Sequence, residues 1–290
     1  MPLPERRLTA LLYRTGGSMV LIDCGEGTQV AVKLAGWGFK TLAAILFTHY
    51  HADHVAGLPG LLLTLANSGK TDPLFLFGPP GLKEVVRGLT VIAPELPYDL
   101  YICKLPDGSP CTQRLGDMYI QSAPADHRIP CLAYSLEIKR AGAFDAQRAQ
   151  AQGIPMEYWN RLQKGETIRE EGRAFEPGMV LGEPRRGIKV TYCTDTRPTA
   201  KLALLARDSD LLVCEGIYGE DEKRAGAIEK KHMIFSEAAA LAKESGCREL
   251  WLTHYSPSLQ DPQEHIANAR AVFPNTQAGS DGMAKTIHFE

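Results

Sequence analysis

The stretch FTHYHADH, residues 47–54, holds three of the chain's eight histidines and one aspartate. His49 and His51 lie two residues apart after the apolar segment LAAILFT, where an extended backbone points both side chains the same way. Asp53 and His54 follow where a helical pattern begins, so the turning chain can direct them to a second ion. Imidazole and carboxylate together suit Zn²⁺, with a weaker preference for Mn²⁺. A crowded, solvated loop is the alternative interpretation.

Three further candidate ligands follow apolar, strand-like segments later in the chain. They are His127 after MYIQSAPAD, Asp195 after KVTYCT and His254 after RELWLT. Ends of strands are where α/β folds place their chemistry. A single histidine in such a place is more often structural. Ligand-type residues at four strand ends, one of them H-x-H-x-D-H, instead predict a binuclear metal site.

The segments that must position these residues alternate between short apolar strands and helices. SMVLIDC, LAAILFT and PLFLFGPPG are predicted strands, whereas EGTQVAVKLAG, VAGLPGLLLTLANSG and LKEVVRGLTVIA are predicted helices. A mostly β stretch covers about residues 98–139. GIKVTYCTD, SDLLVCEG and CRELWLTH are later strands, separated by the helices TRPTAKLALLAR and SEAAALAKESG. This order predicts a layered α/β domain with helices covering the sheet faces.

Residues 140–180 interrupt that alternation and are interpreted as an arm inserted into a single domain spanning residues 1–290. The segment is polar and helical in patches, and we expect it to be too short for a core of its own. It carries basic residues that could meet RNA: Arg140, Arg148, Arg161, Lys164 and Arg169. Acidic residues partly cancel them: Glu157, Glu166, Glu170 and Glu171.

Composition narrows the class of protein. Apolar residues make up 44% and charged residues 23% of the 290 residues, which is typical of globular proteins. No run of 18 apolar residues and no signal-peptide pattern is present, which favours a cytoplasmic protein that does not enter a membrane. The seven scattered cysteines lack C-x-x-C and argue against a disulfide framework or a zinc ribbon. A net charge of −2 means that nucleic-acid binding would need local basic patches.

H-x-H-x-D-H with later His, Asp and His resembles the metallo-β-lactamase superfamily. LIDCGEGTQ, THYHADHVAGLPGLL, DTRP, EAAALAKESG and LTHYS make the chain similar to the ribonuclease Z branch, from about Pro4 to the C-terminus. The resemblance implies a four-layer αβ/βα sandwich and zinc-dependent removal of the 3′ trailer of precursor tRNA. It also implies a homodimer in which the arm of one subunit serves the site of the other. A further strand is expected before PLPERRLT, and its absence would expose a sheet edge.

The resemblance also implies roles for individual residues. It places two Zn²⁺ ions with Asp195 bridging them, one held by His49, His51 and His127 and the other by Asp53, His54 and His254. Two cations about 3.5–4 Å apart can hold the attacking hydroxide and clamp both oxygens of a phosphodiester, with Asp53 as general base. His232 matches the family histidine that protonates the leaving 3′-oxygen, and Glu215 matches the glutamate that orients it. Without the resemblance, His232 would be a surface histidine beside a helix.

Several motifs depart from the family at positions that affect substrate binding. CEGI replaces H-E-A-T, HMI replaces H-S-T, SPSL lacks the usual arginine, and GIPMEYW lacks the glycine–proline pair of the arm. Two alternatives therefore stay open. One is a phosphodiesterase acting on small or cyclic phosphodiesters in a closed pocket, and the other is a non-catalytic RNA-binding relative. Hydrolysis of β-lactams is disfavoured because it does not call for a long basic arm.

Overall fold

Two β-sheets form the centre of the computed structural model, which describes residues 3, 4, 6–93, 95–170 and 172–290. The first sheet has five strands in the order β1–β2–β3–β4–β5, of which only β1 runs antiparallel to its neighbour. The strands are β1 (Leu11–Thr15), β2 (Ser18–Ile22), β3 (Leu42–Leu46), β4 (Leu74–Gly78) and β5 (Leu100–Lys104). β1 and β5 are the edge strands, and the additional strand implied by the resemblance stays a prediction.

The second sheet has seven strands in the order β14–β13–β12–β11–β8–β7–β6. β11 to β14 are parallel, and β8 joins them antiparallel to β11. The strands are β6 (Cys111–Leu115), β7 (Met118–Pro124), β8 (Leu132–Arg140), β11 (Arg185–Cys193), β12 (Leu211–Glu215), β13 (Leu250–Thr253) and β14 (Thr276–Ala278). The predicted strands of this half are confirmed.

Alternation along the strands divides the apolar residues among the layers. In β2, Val20 and Ile22 pack between the two sheets, whereas Met19 and Leu21 pack against helices on the outer face. In β12, Leu212 and Cys214 face helices on the opposite side of the molecule. Because side chains of a strand point alternately to its two faces, each strand contributes to two layers of core. The four-layer αβ/βα sandwich implied by the family resemblance is thus confirmed.

The helices cover both outer faces. On the first sheet lie α1 (Thr28–Ala35), α2 (Ala52–Val55), α3 (Leu58–Asn67) and α4 (Leu82–Leu89). The second sheet carries α7 (Ala200–Ala206), α8 (Arg224–Lys230), α9 (Phe235–Ser245) and α10 (Ile266–Arg270). α1 ends at Gly36, whose φ of 73° lies in the left-handed region, as predicted. Within the described ranges, no helix is both long and apolar enough to cross a membrane.

The helix predicted over VAGLPGLLLTLANSG, residues 55–69, is confirmed as α3, although it begins three residues later than predicted and a separate short helix, α2, precedes it. Between them Gly57 passes so close to the turn after β2 that an added Cβ would lie 2.0 Å from the carbonyl oxygen of Gly25. Pro59 then lies in the first turn of α3, where its missing N–H costs no hydrogen bond. The break separates α2, which carries Asp53 and His54, from α3.

The inserted arm has a small core of its own, contrary to the expectation from its length. It contains α5 (Ala146–Ala151), α6 (Met156–Gln163) and a hairpin of β9 (Ile168–Glu170) with β10 (Arg173–Phe175). Seven side chains pack together there: Ala149, Ile154, Tyr158, Leu162, Ile168, Phe175 and Val180. The arm is polar on average, but its few apolar residues are spaced so that the two helices and the hairpin bring them together in one core. Glu171, one of its acidic residues, is outside the described residues.

Candidate metal centre

All seven side chains predicted to bind metal meet at one edge of the two sheets. Parallel β2 and β3 end there, as do β11, β12 and β13. Three groups have ligand atoms within 4.8 Å of one another: His49, His51, His127 and Asp195; Asp53, His54 and His254; and Asp195, His232 and His254. The sequence-predicted residues are therefore brought together, and His232 joins them.

The first group surrounds a space of the size that a metal ion requires. Nε2 of His49 lies 2.9 Å from Nδ1 of His51 and 3.8 Å from Oδ1 of Asp195. Nε2 of His127 lies 3.9 Å from the same Oδ1. Ligand atoms about 2.0–2.2 Å from one Zn²⁺ are separated by about 3–4 Å, so this donor set fits such an ion.

The second group faces the other oxygen of Asp195. Oδ2 of Asp195 lies 3.2 Å from Nε2 of His54 and 3.2 Å from Nε2 of His254. Oδ2 of Asp53 lies 3.5 Å from each of the same two nitrogens. Each oxygen of Asp195 thus faces a different group, which is the arrangement that a bridging ligand requires.

Protonation in the first group also suits a metal. Burial, reinforced by the neighbouring His54, lowers the pKa of His49 to about 2, so that its imidazole is neutral. Burial alone would raise the pKa of Asp195, but His254 and His54 hold it well below its usual range. Nε2 of His127 is buried and has no hydrogen-bond partner among the described residues. Since such an atom is costly unless a ligand satisfies it, these residues fit a divalent cation.

The backbone is strained where the strands deliver these side chains. Asp23, Asp195 and His254 have φ values of 60°, 51° and 55°, in the left-handed region that is rare for residues other than glycine. Each follows the end of a strand at the edge of the sheets. Strain of this kind persists only where surrounding structure enforces it, and it is concentrated at functional sites.

Asp23 is a candidate functional residue that was not predicted from the sequence. Nδ1 of His54 lies 2.8 Å from Oδ2 of the fully buried Asp23. A carboxylate only accepts, so Nδ1 carries the proton and Nε2 is free to bind metal. Asp23 is itself held by the backbone N–H and the hydroxyl of Thr48, each at 2.8 Å. The sequence signal for Asp23 was an aspartate at the end of a strand, in LIDCGEGTQ. That segment was used above only for the family resemblance.

Replacing Asp23 with asparagine is expected to weaken metal binding about 10–100-fold, because the partner of His54 loses its charge. Competition with a chromophoric chelator measures the change. Asp210→Asn is a matched control, since Asp210 is a buried carboxylate at the opposite end of β12, bound to Arg186 at 2.8 Å. Equal affinity in the Asp23 variant and the wild type would contradict this role.

His232 lies beside the metal-binding groups and is held by Glu215. Nδ1 of His232 is 2.8 Å from Oε2 of Glu215 and 3.9 Å from Oδ1 of Asp195. Glu215 is fully buried at the end of β12, and burial raises its pKa. Its other oxygen accepts a hydrogen bond from the backbone N–H of Thr196. The alternative of a surface histidine beside a helix does not fit this environment.

Comparisons with known proteins agree with the fold. The family model of the "Beta-lactamase superfamily domain" matches residues 18–255. Ribonuclease Z of Clostridium acetobutylicum is 52% identical over 297 residues, covering 100% of this chain and 96% of that protein. Ribonuclease Z of Clostridium kluyveri is 50% identical over 290 residues, with coverages of 100% and 96%. Human tRNase Z, short form, superposes with a TM-score of 0.70 at 21% identity, covering 99% of this chain and 95% of that one, which shows a shared fold.

Fold and donor cluster together define a metal-binding hydrolase of the β-lactamase superfamily. Within that superfamily, this chain belongs to the ribonuclease Z family.

Proposed function

We propose that this protein is a zinc-dependent endoribonuclease that removes the 3′ trailer of precursor tRNA in the cytoplasm. The observation that carries the proposal is the position of His232, a candidate proton donor, against a complete set of metal donors. The full-length similarity to proteins named ribonuclease Z supports the choice of substrate.

The proposed cofactor is two Zn²⁺ ions per chain, with Mn²⁺ as the alternative ion. The proposed ligands are His49, His51 and His127 for one ion, Asp53, His54 and His254 for the other, and Asp195 for both. When bound, such a pair of cations activates a water molecule and neutralises charge on the phosphodiester.

The remaining chemistry belongs to side chains at the site. Asp53 is the proposed general base, and although burial opposes ionisation, its contacts with His254 and His54 hold its pKa below the usual value. Its side chain is 36% exposed, so substrate can reach it. His232 donates its Nε2 proton to the leaving 3′-oxygen, while Glu215 accepts a hydrogen bond from Nδ1 and fixes the ring. The products are tRNA ending in a 3′-hydroxyl and a trailer beginning with a 5′-phosphate.

The direction of β8 supports a homodimer in which arms and sites are exchanged. β8 begins beside the metal-binding loop, where the N–H of Leu132 donates to the carbonyl of Thr48 at 2.9 Å. It ends at Arg140, the base of the arm, which pairs with Arg185 at the start of β11. Nine residues of strand place the arm roughly 25–30 Å from the site of the same chain, on the opposite edge of the sheet. We propose that the arm therefore serves the site of a second subunit.

Contacts within the arm reduce the number of basic residues that can meet RNA. Nε of Arg161 lies 2.8 Å from Oε2 of Glu166, and Arg140 contacts the backbone of Glu290 at the base of the arm. Three exposed cations of the predicted set remain as proposed phosphate contacts: Arg148, Lys164 and Arg169. A few such contacts give binding that weakens with increasing salt.

Deleting residues 143–181 is expected to lower kcat/KM for precursor tRNA at least roughly tenfold, or about 1.4 kcal/mol of transition-state binding. Hydrolysis of bis(p-nitrophenyl) phosphate should stay nearly unchanged. The new junction is favourable, because an added Cβ on Gly142 would lie 1.9 Å from the carbonyl oxygen of Gly182. Steady-state rates on both substrates measure the effect.

A matched pair of charge variants separates RNA binding from support of the fold. Arg148→Gln, Lys164→Gln and Arg169→Gln together should reproduce most of the loss, whereas Arg161→Gln with Glu166→Gln should not. An equal loss on both substrates after the deletion would mean that the arm supports the fold. No loss on precursor tRNA would contradict the proposed role of the arm.

The proposed function is tested by incubating the zinc-loaded protein with precursor tRNA that carries a 3′ trailer and with bis(p-nitrophenyl) phosphate. Cleavage directly after the discriminator base, leaving a 3′-hydroxyl, is the expected result. Hydrolysis of the small ester alone would favour the small-phosphodiester alternative. That alternative calls for a closed pocket, whereas His51 is only half-buried and the side chain of Asp53 is 36% exposed.

A further inference from the structure

Two motifs that contribute to the family resemblance, DTRP and EAAALAKESG, meet in a nearly buried ion pair. Nη1 of Arg197 lies 2.8 Å from Oε2 of Glu237, and Nη2 lies 2.5 Å from Oε1. The side chains are 15% and 14% exposed. A guanidinium that donates two parallel bonds to one carboxylate fixes the geometry of both groups.

This ion pair holds the backbone that carries His232. Nη1 of Arg197 also donates to the carbonyl oxygen of His232. Oε2 of Glu237 accepts a hydrogen bond from the N–H of Ile234 at 3.1 Å. Backbone bonds also tie the segment to its neighbours: the N–H of His232 donates to the carbonyl of Ala227 in α8, and the N–H of Ile217 donates to the carbonyl of Met233, each at 2.8 Å.

Three consecutive residues after β11 each contact a different part of the site. The carboxylate of Asp195 faces both groups of metal donors. The N–H of Thr196 donates to Oε1 of Glu215, whose other oxygen contacts the ring of His232. The guanidinium of Arg197 reaches the carbonyl of His232. The segment that carries Asp195 thus holds both the ring of His232, through Glu215, and its backbone, through Arg197.

We propose that Arg197 and Glu237 are positioning residues for protonation of the leaving group by His232. This inference rests on the proposed function. In that reaction the phosphorus–O3′ bond breaks, a bond from phosphorus to the attacking oxygen forms, and O3′ takes the Nε2 proton of His232. Arg197 contacts no reacting atom, and it acts by keeping Nε2 within hydrogen-bonding distance of O3′.

Dependence on the leaving group distinguishes this role from a general structural one. The 3′-oxygen of a ribose leaves as a strongly basic alkoxide and needs a proton. The p-nitrophenolate of bis(p-nitrophenyl) phosphate is stable as an anion and does not. Misplacing His232 should therefore slow cleavage of RNA and spare the activated ester.

The test compares Arg197→Lys with the double variant Arg197→Met, Glu237→Met. Lysine keeps the charge but loses the two-pronged geometry. The double variant leaves no unpaired charge behind, which is often tolerated where loss of one partner is not. Arg224→Lys is the matched control, because its Nε lies 3.8 Å from Oε1 of Glu237 but its side chain is 50% exposed and does not hold His232.

We expect kcat for precursor tRNA to fall by roughly ten- to a hundredfold in both test variants, a fraction of what a general acid contributes. Activity on bis(p-nitrophenyl) phosphate and zinc content by elemental analysis should stay within about twofold of the wild type on the same argument. In ¹⁵N–¹H spectra, the Nδ1–H signal of His232 should be protected from exchange in the wild type and in the control and lost in both test variants.

Three results would overturn the inference: equal loss on both substrates, loss of zinc in the test variants, or unchanged cleavage of precursor tRNA. Failure of the proposed function would look different, since the wild type itself would then leave precursor tRNA uncut. Thermal unfolding of each variant identifies any that is poorly folded. If the double variant is poorly folded, the rates of Arg197→Lys on the two substrates test the inference alone.

Discussion

Turnover of precursor tRNA should fall by roughly 10²–10⁴ when His232 is replaced by alanine, which is the usual contribution of a general acid. The expected cause is loss of the proton donor and not loss of metal. Nδ1 of His232 is 2.8 Å from Glu215, whereas each proposed metal-binding group is complete without His232. Single-turnover kinetics and elemental analysis of the same preparation measure the two quantities together.

His288→Ala is a suitable control, because His288 is exposed near the C-terminus. It should change neither turnover nor metal content. Loss of metal from the His232 variant, to the extent seen when a proposed ligand is removed, would show that the role assigned to His232 is wrong.

Replacing His51 with alanine should remove metal and activity together. Nδ1 of His51 lies 2.9 Å from Nε2 of His49 and is one of four donors in its group. Removing one donor leaves the set short of the number of protein ligands that Zn²⁺ sites use, so the affinity for the ion falls. We expect the variant to hold fewer ions than the two per chain proposed for the wild type and to lack measurable cleavage of precursor tRNA.

Elemental analysis of metal-saturated protein is the decisive measurement. One ion or none per wild-type chain would rule out the binuclear site, whatever the variant does. Full metal content in the His51 variant would exclude His51 as a ligand while leaving the other donors in place.

The sequence was sufficient to predict the layers of the fold and the place where the site assembles. Alternation in β2 and β12 and the helical spacing of α1 and α9 specify which faces are buried. Because parallel strands end at a common edge, residues as far apart in the sequence as His49 and His254 could be predicted to lie close together.

The supporting contacts could not be predicted in the same way. Asp23 approaches His54 across 31 positions of sequence, and Arg197 approaches Glu237 across 40, so neither pair has a local pattern. Each contact depends on the rotamers of two side chains after the strands have packed. The direction in which the arm projects could not be predicted from the sequence either, because it depends on the antiparallel pairing of β8 with β11.

β8 has a consequence for how an RNA is chosen. This strand lies inside the seven-stranded sheet and is hydrogen-bonded to β7 and to β11, so it cannot lengthen or bend freely. In the proposed dimer with exchanged arms, the rigid strand β8 and the subunit interface would together set the span from an arm to the site that it serves. Such an enzyme would select RNA by length: it would cleave an RNA whose stacked helices are as long as that span. Selection would then depend on the number of base pairs between the RNA's elbow and its 3′ end more than on their identity.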